Sequence, residues 1–439
     1  MGITVGRALL GAAAVALVLV AAPAASFHSG GVGDCDGCHT MHNSLGGEAM
    51  APALPQYQAG PYLLRGTDPS SACLNCHQQA GLAGPTDRII STAEADMPSG
   101  SPPRQLTPAG DFGWLKKSYS WATPGGTATS PGERHGHNIV AADYGYVVDQ
   151  AHPQSPGDAY PADALGCQSC HDPHGSYRRL ANGSIVTTGL PIFASGSYAD
   201  SPDPIAGVSA AGVYRHLAGV GYQPKSLAGS LAFQHGSPDA VSPAHYNRSE
   251  TATQTRVAYG RGFSEWCSNC HPAMLSNGYT SGMSGLVHPA GNDAPLGAAV
   301  AANYRMYVAS GNLRGSAESS YSSLAPFEEG TGDYAVLKSH ARSDDTYLDG
   351  PGPEANVSCL SCHRSHASGF DSKLRYGLGN EFITLGDASG NSFYPDPVAN
   401  PEQAQGRTVA ETTAAYYGRP ASRFAPFQRV LCNKCHAQD

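Results

Sequence analysis

The sequence has little charge and little periodic pattern. Only 14% of its 439 residues are charged, whereas 53 glycines and 33 prolines make up about a fifth of the chain. Helical and strand periodicity is weak over long stretches, including 97–132, 152–165 and 195–212. A chain of this composition cannot bury enough apolar surface to fold as ordinary domains, and without a cofactor much of it would be disordered.

Long apolar runs are also missing beyond the N-terminus. Residues 1–26 have the features of a secretory signal peptide: Arg7, an apolar run from Ala8 to Ala22, and small residues before cleavage after Ser26. The run is too short to span a bilayer comfortably, and no later segment is apolar enough to cross one. We therefore expect an exported mature chain, residues 27–439, that forms a single body.

No cysteine lies outside one repeated motif. All twelve cysteines belong to six copies of Cys-x-x-Cys-His, which is typical of covalent c-type haem attachment. The thiols form thioethers to the porphyrin, and the histidine binds the iron. Because residues i, i+3 and i+4 share one side of a helical turn, each motif is expected to form a single turn. The copies are Cys35, Cys38 and His39; Cys73, Cys76 and His77; Cys167, Cys170 and His171; Cys267, Cys270 and His271; Cys359, Cys362 and His363; and Cys432, Cys435 and His436.

Zinc knuckles, redox-active cysteine pairs and six disulfides are the alternatives for twelve exported cysteines. A histidine after every second cysteine argues against all three, so the sequence predicts six covalently bound haem c groups. The haems then replace an ordinary core. We expect a multihaem cytochrome c fold, with mostly irregular coil and loops, short helices and a small β-hairpin wrapped around a stacked haem chain.

Two local elements are predicted from turn and capping residues in the middle of the chain. Asn182-Gly183, between Tyr177–Ala181 and Ser184–Thr188, favours a hairpin with a type I′ turn. Asp333 is predicted to cap a short helix over Tyr334–Ala341.

Two more helices are predicted towards the C-terminus, each ended by a glycine. Ala294–Ser310 is expected to be helical with Asp293 as its N-cap. Thr408 and Glu411 form a capping box before a helix over Val409–Tyr417.

The second axial ligand of each iron decides the function. Of 18 histidines, six lie in the motifs and twelve elsewhere, and His42, His174 and His366 follow a motif histidine by three residues. Such a histidine cannot bind its own haem, because both imidazoles would approach the same face, but it can reach a neighbouring haem. This pattern occurs at the first, third and fifth motifs only, which predicts a regular haem array.

Spacing alone does not assign the remaining nine histidines. Each of them is equally compatible with a solvated side chain, and only one of His135 and His137 is expected to be a ligand. Bis-histidine ligation throughout would give lower potentials than methionine ligation, as suits respiratory electron export. The nine are His28, His135, His137, His152, His216, His235, His245, His288 and His340.

Eight long and individually unusual segments are spread over essentially the whole chain. They are Phe27–Gly47, Ile90–Pro98, Gly136–Ala141, Cys170–Gly175, Gly221–Lys225, His288–Asn292, His363–Asp371 and Leu431–His436. In these segments the chain resembles the OmcS-like, filament-forming hexahaem outer-surface c-type cytochromes of metal-respiring bacteria.

The resemblance implies bis-histidine haems in subunits that assemble head to tail into extracellular filaments. It implies that His42 binds the fifth haem, held by Cys359, Cys362 and His363, of a neighbouring subunit. The resemblance also favours six further histidines as distal ligands: His28, His137, His174, His288, His340 and His366. Together with His42 these are seven candidates for six irons, so one of them is surplus. The remaining five histidines are expected to be ordinary surface residues: His135, His152, His216, His235 and His245.

These features predict a secreted electron-transfer protein at the cell surface that is not an enzyme. Its partners would be further copies of itself, outer-membrane conduit proteins and extracellular acceptors such as metal oxides. The net charge of −9 argues against nucleic-acid binding. It also suggests that haem propionates pair with basic residues, for which the candidates are Arg178, Arg179, Arg256 and Arg261.

Two other functions remain open at the level of sequence. A multihaem oxidoreductase would need an iron with an open position, and the plentiful histidines argue against that. A monomeric periplasmic electron carrier is not excluded, because the sequence does not show whether His42 acts within its own chain or in a neighbour.

Covalent haem content tests the interpretation of the motifs. The mature protein is expected to carry six haems, one for each motif, with every iron low-spin and six-coordinate. A pyridine haemochrome assay with the intact mass measures the number, and the visible spectrum reports the spin state. Fewer than six covalent haems, or a stable high-spin fraction, would contradict this interpretation.

Overall fold

Short elements joined by long irregular segments make up the fold. The computed structural model describes residues 35–44, 48–51, 53–82, 84–86, 88–157, 160–227, 229–244, 254–275 and 288–437, so the predicted signal peptide 1–26 lies outside the described residues. Within these ranges no helix exceeds ten residues, and none is long and apolar enough to span a membrane. The α-helices are α1 Cys35–Cys38, α2 Pro69–His77, α3 Phe263–Cys267, α4 Pro272–Leu275, α5 Gly297–Met306, α6 Ala317–Ser320, α7 Tyr334–His340, α8 Cys359–Cys362, α9 Pro401–Ala404, α10 Val409–Ala415 and α11 Asn433–His436.

The strands are equally short and form four small sheets in the described part of the chain. Three are antiparallel pairs, β1 with β2, β7 with β8 and β9 with β10, and the fourth has the order β4-β3-β6-β5. The strands are β1 Tyr119–Thr123, β2 Gly126–Ser130, β3 Arg178–Arg179, β4 Ile185–Val186, β5 Ile192–Ala194, β6 Ala210–Gly212, β7 Ala240–Val241, β8 Ala258–Tyr259, β9 Leu385–Gly386 and β10 Ser392–Phe393. The predicted fold of coil, short helices and small hairpins is confirmed.

Short 3-10 helices lie in the coil between these elements. They are Pro61–Leu63, Glu94–Asp96, Phe112–Lys116, Gly132–His135, Ala142–Tyr144, Ala162–Ala164, Cys167–Ser169, Tyr214–His216, Lys225–Leu227, Asp371–Lys373 and Ala421–Arg423.

The hairpin predicted around Asn182-Gly183 is present as β3 and β4, but its turn type was wrong. A type I′ turn needs positive φ at both central residues, whereas only Gly183, with φ 84°, has it. Gly183 donates to the Leu180 carbonyl at 2.9 Å, and Leu180 donates to the Ser184 carbonyl at 2.9 Å. This is a three-residue loop with glycine in the left-handed position.

Helix caps were predicted better than helix lengths. Asp333 caps α7 through the backbone N–H groups of Ala335 and Val336, and Thr408 and Glu411 form the expected capping box of α10. Both helices are confirmed, although α10 ends two residues earlier than predicted, at Ala415.

The helix predicted over Ala294–Ser310 was too long at both ends. Its first residues pair with an extended segment instead: Leu296 donates to the Ala355 carbonyl and Gly297 to the Pro353 carbonyl, both at 2.9 Å. Asp293 is therefore not a cap, and α5 begins at Gly297 and ends at Met306.

Apolar side chains form several small clusters rather than one core. The largest groups buried aromatic residues such as Trp114, Tyr376 and Tyr416. Motif cysteines pack against four of the clusters, namely Cys432, Cys170, Cys167 and Cys270. The apolar packing is thus arranged around the motifs.

A buried ion-pair network lines a cavity of about 320 Å³ between α5 and α7. Arg256 pairs with Glu329 at 2.9 Å and lies over the Tyr347 ring, 4.4 Å from its centroid. His340 hydrogen-bonds to the same carboxylate and stacks on Tyr347 at 4.3 Å. Burial raises the pKa of Glu329, but the His340 bond and the Arg256 charge outweigh burial, and the net pKa is lowered.

Glu329→Gln is expected to lower the free energy of unfolding by about 3 kcal/mol at pH 7, because it leaves the buried Arg256 charge without its carboxylate. A carboxyl group whose folded pKa is depressed stabilises the protein above its unfolded pKa of about 4.3, and this stabilisation is lost as the pH falls. The difference from wild type should therefore shrink below about pH 4. Urea unfolding of the haem-loaded protein across this range measures it.

The exposed Glu402→Gln is the matched control for Glu329→Gln and should change the stability little at either pH. An equal loss in both variants would contradict a specific role for the Arg256–Glu329 pair.

Candidate haem-binding sites

Each of the six motifs closes one helical turn, as predicted. Five motif histidines donate their backbone N–H to the carbonyl of the first cysteine of the same motif, at 2.8 to 3.2 Å. The sixth, His77, is the last residue of α2, which Asp68 caps at its N-terminus. None of the twelve cysteines, all of which the structure describes, is in a disulfide, so the disulfide alternative fails.

Successive motifs lie beside one another in chain order. The thiols of Cys73 and Cys167, and those of Cys267 and Cys359, are close enough to shift each other's pKa, which places the second motif beside the third and the fourth beside the fifth.

The other three junctions are close enough for the thiols to act on each other electrostatically. Burial, and then Cys76, raises the pKa of Cys38. Burial, and then Cys170, raises the pKa of Cys270. Burial, and then Cys432, raises the pKa of Cys362 to about 11. The six motifs therefore form one continuous series.

Four motif histidines each face a second histidine from elsewhere in the chain. The ring centroids are 6.5 Å apart for His39–His174, 6.1 Å for His271–His137, 6.4 Å for His171–His366 and 6.2 Å for His436–His288. A metal–imidazole bond of about 2 Å on each side would place the two centroids roughly 6 Å apart. The residues therefore fit an iron between each pair, the arrangement of a bis-histidine haem.

Backbone carbonyls hold the motif imidazoles by their Nδ1 atoms. The contacts are His39 to Tyr62, 3.1 Å; His77 to Arg88, 2.7 Å; His171 to Arg215, 2.8 Å; His271 to Pro156, 3.0 Å; and His363 to Ser372, 2.8 Å. An Nδ1–H donor fixes the tautomer and leaves Nε2 free to bind a metal.

Burial keeps several of these imidazoles neutral. It lowers the pKa of His271 to about 4, that of His363 to about 4 and that of the distal candidate His366 to about 3. Neutral imidazole is the form that ligates metals. Within the described ranges no group of three or more His, Cys, Asp or Glu side chains is arranged to hold a metal ion.

Three predicted distal histidines are outside these pairs. His28 lies outside the described residues. His42 is exposed, and no ring contact in the described part of the chain joins it, or His363, to another histidine. His340 faces Glu329 and Tyr347 rather than a motif histidine.

Two histidines expected at the surface are buried, and that expectation was wrong. His135 is completely buried and hydrogen-bonds to Ser130 Oγ at 2.8 Å and to the Trp114 carbonyl at 3.1 Å. His216 is 2% exposed. His152 is exposed and His235 is half-buried, whereas His245 lies outside the described residues. Sequence alone gave no signal for the burial of His135, because the Trp114 carbonyl that holds its ring lies on a different segment.

The predicted propionate partners have other contacts. Arg179 pairs with Asp239 at 2.7 Å and Arg256 with Glu329, while Arg178 donates to two backbone carbonyls. The side chain of Arg261 is exposed, and its Nε atom is 3.9 Å from the Asp239 carboxylate.

The sequence analysis missed two lysines beside the motifs. Lys373 Nζ is 2.8 Å from His137 Nε2, and burial lowers the pKa of Lys373 to about 8. Lys434, inside the sixth motif, donates to the carbonyls of Tyr307 and Ser320 at 2.5 Å. Burial lowers the pKa of Lys434 to about 7.

Comparison with known proteins places this geometry in a family. The chain is 59% identical over 431 residues to C-type cytochrome OmcS of Geobacter sulfurreducens (strain ATCC 51573 / DSM 12127 / PCA), covering 98% of each chain. No family model matches the sequence.

Solved structures agree with this relationship. A cryo-EM structure of the OmcS nanowires from Geobacter sulfurreducens superposes with a TM-score of 0.88 at 60% identity, covering 94% of this chain and 100% of that one. A structure of the outer membrane cytochrome S filament from the same organism gives a TM-score of 0.88 at 59% identity, with the same coverage of both chains. The chain therefore belongs to the OmcS family of c-type cytochromes, which bind haem c covalently.

Proposed function

We propose that this protein is an exported hexahaem cytochrome that polymerises head to tail into extracellular filaments and carries electrons along them. The mature chain, residues 27–439, would form a single body. Its electron-transfer partners would be outer-membrane conduit proteins and extracellular acceptors such as metal oxides. Identity of 59% over 98% of the chain to OmcS and the match to OmcS nanowires support this function.

The four imidazole pairs are the observation that carries the proposal. The first-motif iron would take His174 as its second ligand, the third-motif iron His366, the fourth-motif iron His137 and the sixth-motif iron His288. A pair of imidazoles at each of these four irons leaves no open position for a substrate, and His28 and His42 are proposed to fill the remaining two, so we propose that the protein is not an enzyme.

The pairs also suggest how two neighbouring subunits join. His174 of the third motif faces the first motif, and His366 of the fifth faces the third. The corresponding histidine of the first motif is His42, and no ring contact among the described residues joins it to a motif histidine. The same step taken across a subunit boundary brings it to the fifth motif, His363, of a neighbour.

Two assignments follow by elimination. His28 is the remaining candidate for the second-motif iron at His77, and His340 is the surplus histidine. The Glu329 carboxylate and the Tyr347 ring already occupy the surroundings of His340, which supports a structural role in the ion-pair network.

In the proposed mechanism the protein makes and breaks no covalent bond during transfer. The haem irons supply reversible one-electron chemistry. The chain's own residues fix the order of the sites, hold five of the six motif imidazoles by backbone carbonyls and exclude water around the buried rings. Lys373 and Lys434 lie buried beside the motifs and are candidate partners for haem carboxylates, which would favour the charged forms of both lysines.

A monomeric periplasmic carrier is the second candidate function, because the intrachain pairs would serve it equally well. Electron microscopy of secreted material separates the two, since only the proposed function produces filaments. A multihaem oxidoreductase would show a high-spin iron in the resting protein.

Replacing a distal histidine should open one iron. His174→Ala or His366→Ala is expected to convert one of six irons to a high-spin form, because each removes one ring of a facing pair. His340→Ala and the exposed His152→Ala should leave every iron low-spin. Visible and EPR spectra measure the fraction. A high-spin signal in His340→Ala would show that the surplus histidine was misassigned.

Filament assembly should depend on His42. His42→Ala is expected to retain six covalent haems but to form no long filaments, and to leave the fifth-motif iron without its second imidazole. A bond from a residue on one face to a site on the opposite face is heterologous and propagates into an open polymer. Electron microscopy and the spin state, compared with His152→Ala, give the readout. Normal filaments with all irons low-spin would remove His42 from the interface.

A further inference from the structure

Three pairs of adjacent non-glycine residues adopt the left-handed backbone conformation. They are Tyr62-Leu63, with φ 57° and 60°; Arg215-His216, with φ 48° and 51°; and Ser372-Lys373, with φ 57° and 58°. No other two adjacent non-glycine residues in the described ranges share this conformation. Each such residue costs on the order of 1 kcal/mol or more, and strain of this kind persists only where the surrounding structure requires it.

All three pairs make the same contact with a motif. The carbonyl of the first residue accepts the Nδ1–H of a motif histidine, at 3.1 Å for Tyr62, 2.8 Å for Arg215 and 2.8 Å for Ser372. A leucine follows each pair, and its backbone bridges to that histidine: Leu64 to His39, Leu217 to His171 and Leu374 to His363.

Further backbone bonds repeat around each pair. The carbonyl of the second residue accepts the N–H that follows the motif histidine, from Thr40 at 2.7 Å, Asp172 at 2.9 Å and Arg364 at 2.8 Å. We call each left-handed pair with its leucine a hook. The three hooks are copies of one structure in sequences that share only the leucine.

The hooks occur at the first, third and fifth motifs, which are also the motifs followed by a second histidine three residues later. The carbonyls that hold His77 and His271, of the second and fourth motifs, belong to Arg88 and Pro156. Neither of these residues has a positive φ. A hook is therefore specific to alternate sites.

We propose that the hooks are positioning elements that fix the proximal imidazole planes at alternate irons and set the basicity of those ligands. This inference rests on the proposed bis-histidine function. A carbonyl that accepts Nδ1–H holds the ring orientation and makes the ligand more basic, and hydrogen bonding to a ligand tunes the potential of its iron. A strained two-residue turn closed by backbone bonds on both sides gives that carbonyl little freedom to move.

Ser372 allows a test, because its side chain is exposed and only its backbone serves the hook. Valine is strongly disfavoured at positive φ, whereas glycine adopts it freely. Ser372→Val should therefore displace the carbonyl from His363, and Ser372→Gly should keep it in place with less strain. Ser389→Val, at an exposed position with ordinary φ, is the matched control.

The readout is the low-spin EPR spectrum and the redox titration of the haem-loaded protein. Ser372→Val should shift about one sixth of the low-spin EPR intensity and one of six redox transitions, with six covalent haems retained. Ser372→Gly and Ser389→Val should match wild type. An unchanged Ser372→Val spectrum, or equal shifts in the valine and glycine variants, would overturn the proposal.

Two further comparisons keep the outcomes distinct. If Ser372→Val does not fold, Tyr62→Val and Tyr62→Gly test the first hook in the same way, since Tyr62 is the corresponding residue of that hook and its side chain is exposed. A high-spin wild-type spectrum would refute the bis-histidine function itself. A low-spin wild-type spectrum that the valine variants do not change would refute only the proposed role of the hooks.

Discussion

Pairs of imidazole rings held 6.1 to 6.5 Å apart are the constraint on which the rest of the structure depends. Each pair joins segments far apart in the sequence, such as His171 and His366. Two imidazole rings gain little from facing each other across such a gap. In the proposed function, an iron bound by both Nε2 atoms would hold these distant segments together, in addition to the small apolar clusters between them.

The pairing of the histidines follows one step that is repeated along the series of motifs. A histidine three residues beyond one motif faces the motif two places earlier, and the hooks recur at the same interval. The molecule is thus built from three similar units, each with one hooked and one unhooked site. If the proposed subunit boundary repeats this step, the assembly would be an open filament rather than a closed dimer, and the series of sites would be continuous across the boundary.

Features that depend on neighbouring residues were predictable, and features that depend on distant ones were not. The motif turns, the Asp333 cap and the Thr408 capping box follow from side chains within four residues of each other. The start of α5 was missed because Leu296 and Gly297 bond to a segment near Ala355. The turn at Asn182-Gly183 was mistyped because Asn-Gly suits two loop lengths. Spacing singled out His42, His174 and His366, and the family resemblance extended these to seven candidate distal ligands, but only the three-dimensional arrangement separated His340 from the other candidates.

The distribution of charge completes the physical picture. The chain carries −9 overall, yet among the described residues eight basic and only four acidic side chains are buried. The basic ones include Arg364 and Arg375, beside the fifth motif, and Lys434, within the sixth. Buried charge is costly unless compensated. Some of these cations are paired within the chain, as Arg179 is with Asp239 and Arg256 with Glu329, and the carboxylates of a bound cofactor would compensate further positive charge. Haem brings two carboxylates to each site. Attachment of the haems would therefore compensate buried positive charge as well as fill the space between the segments. In the proposed function, the chain would not fold stably without its haems.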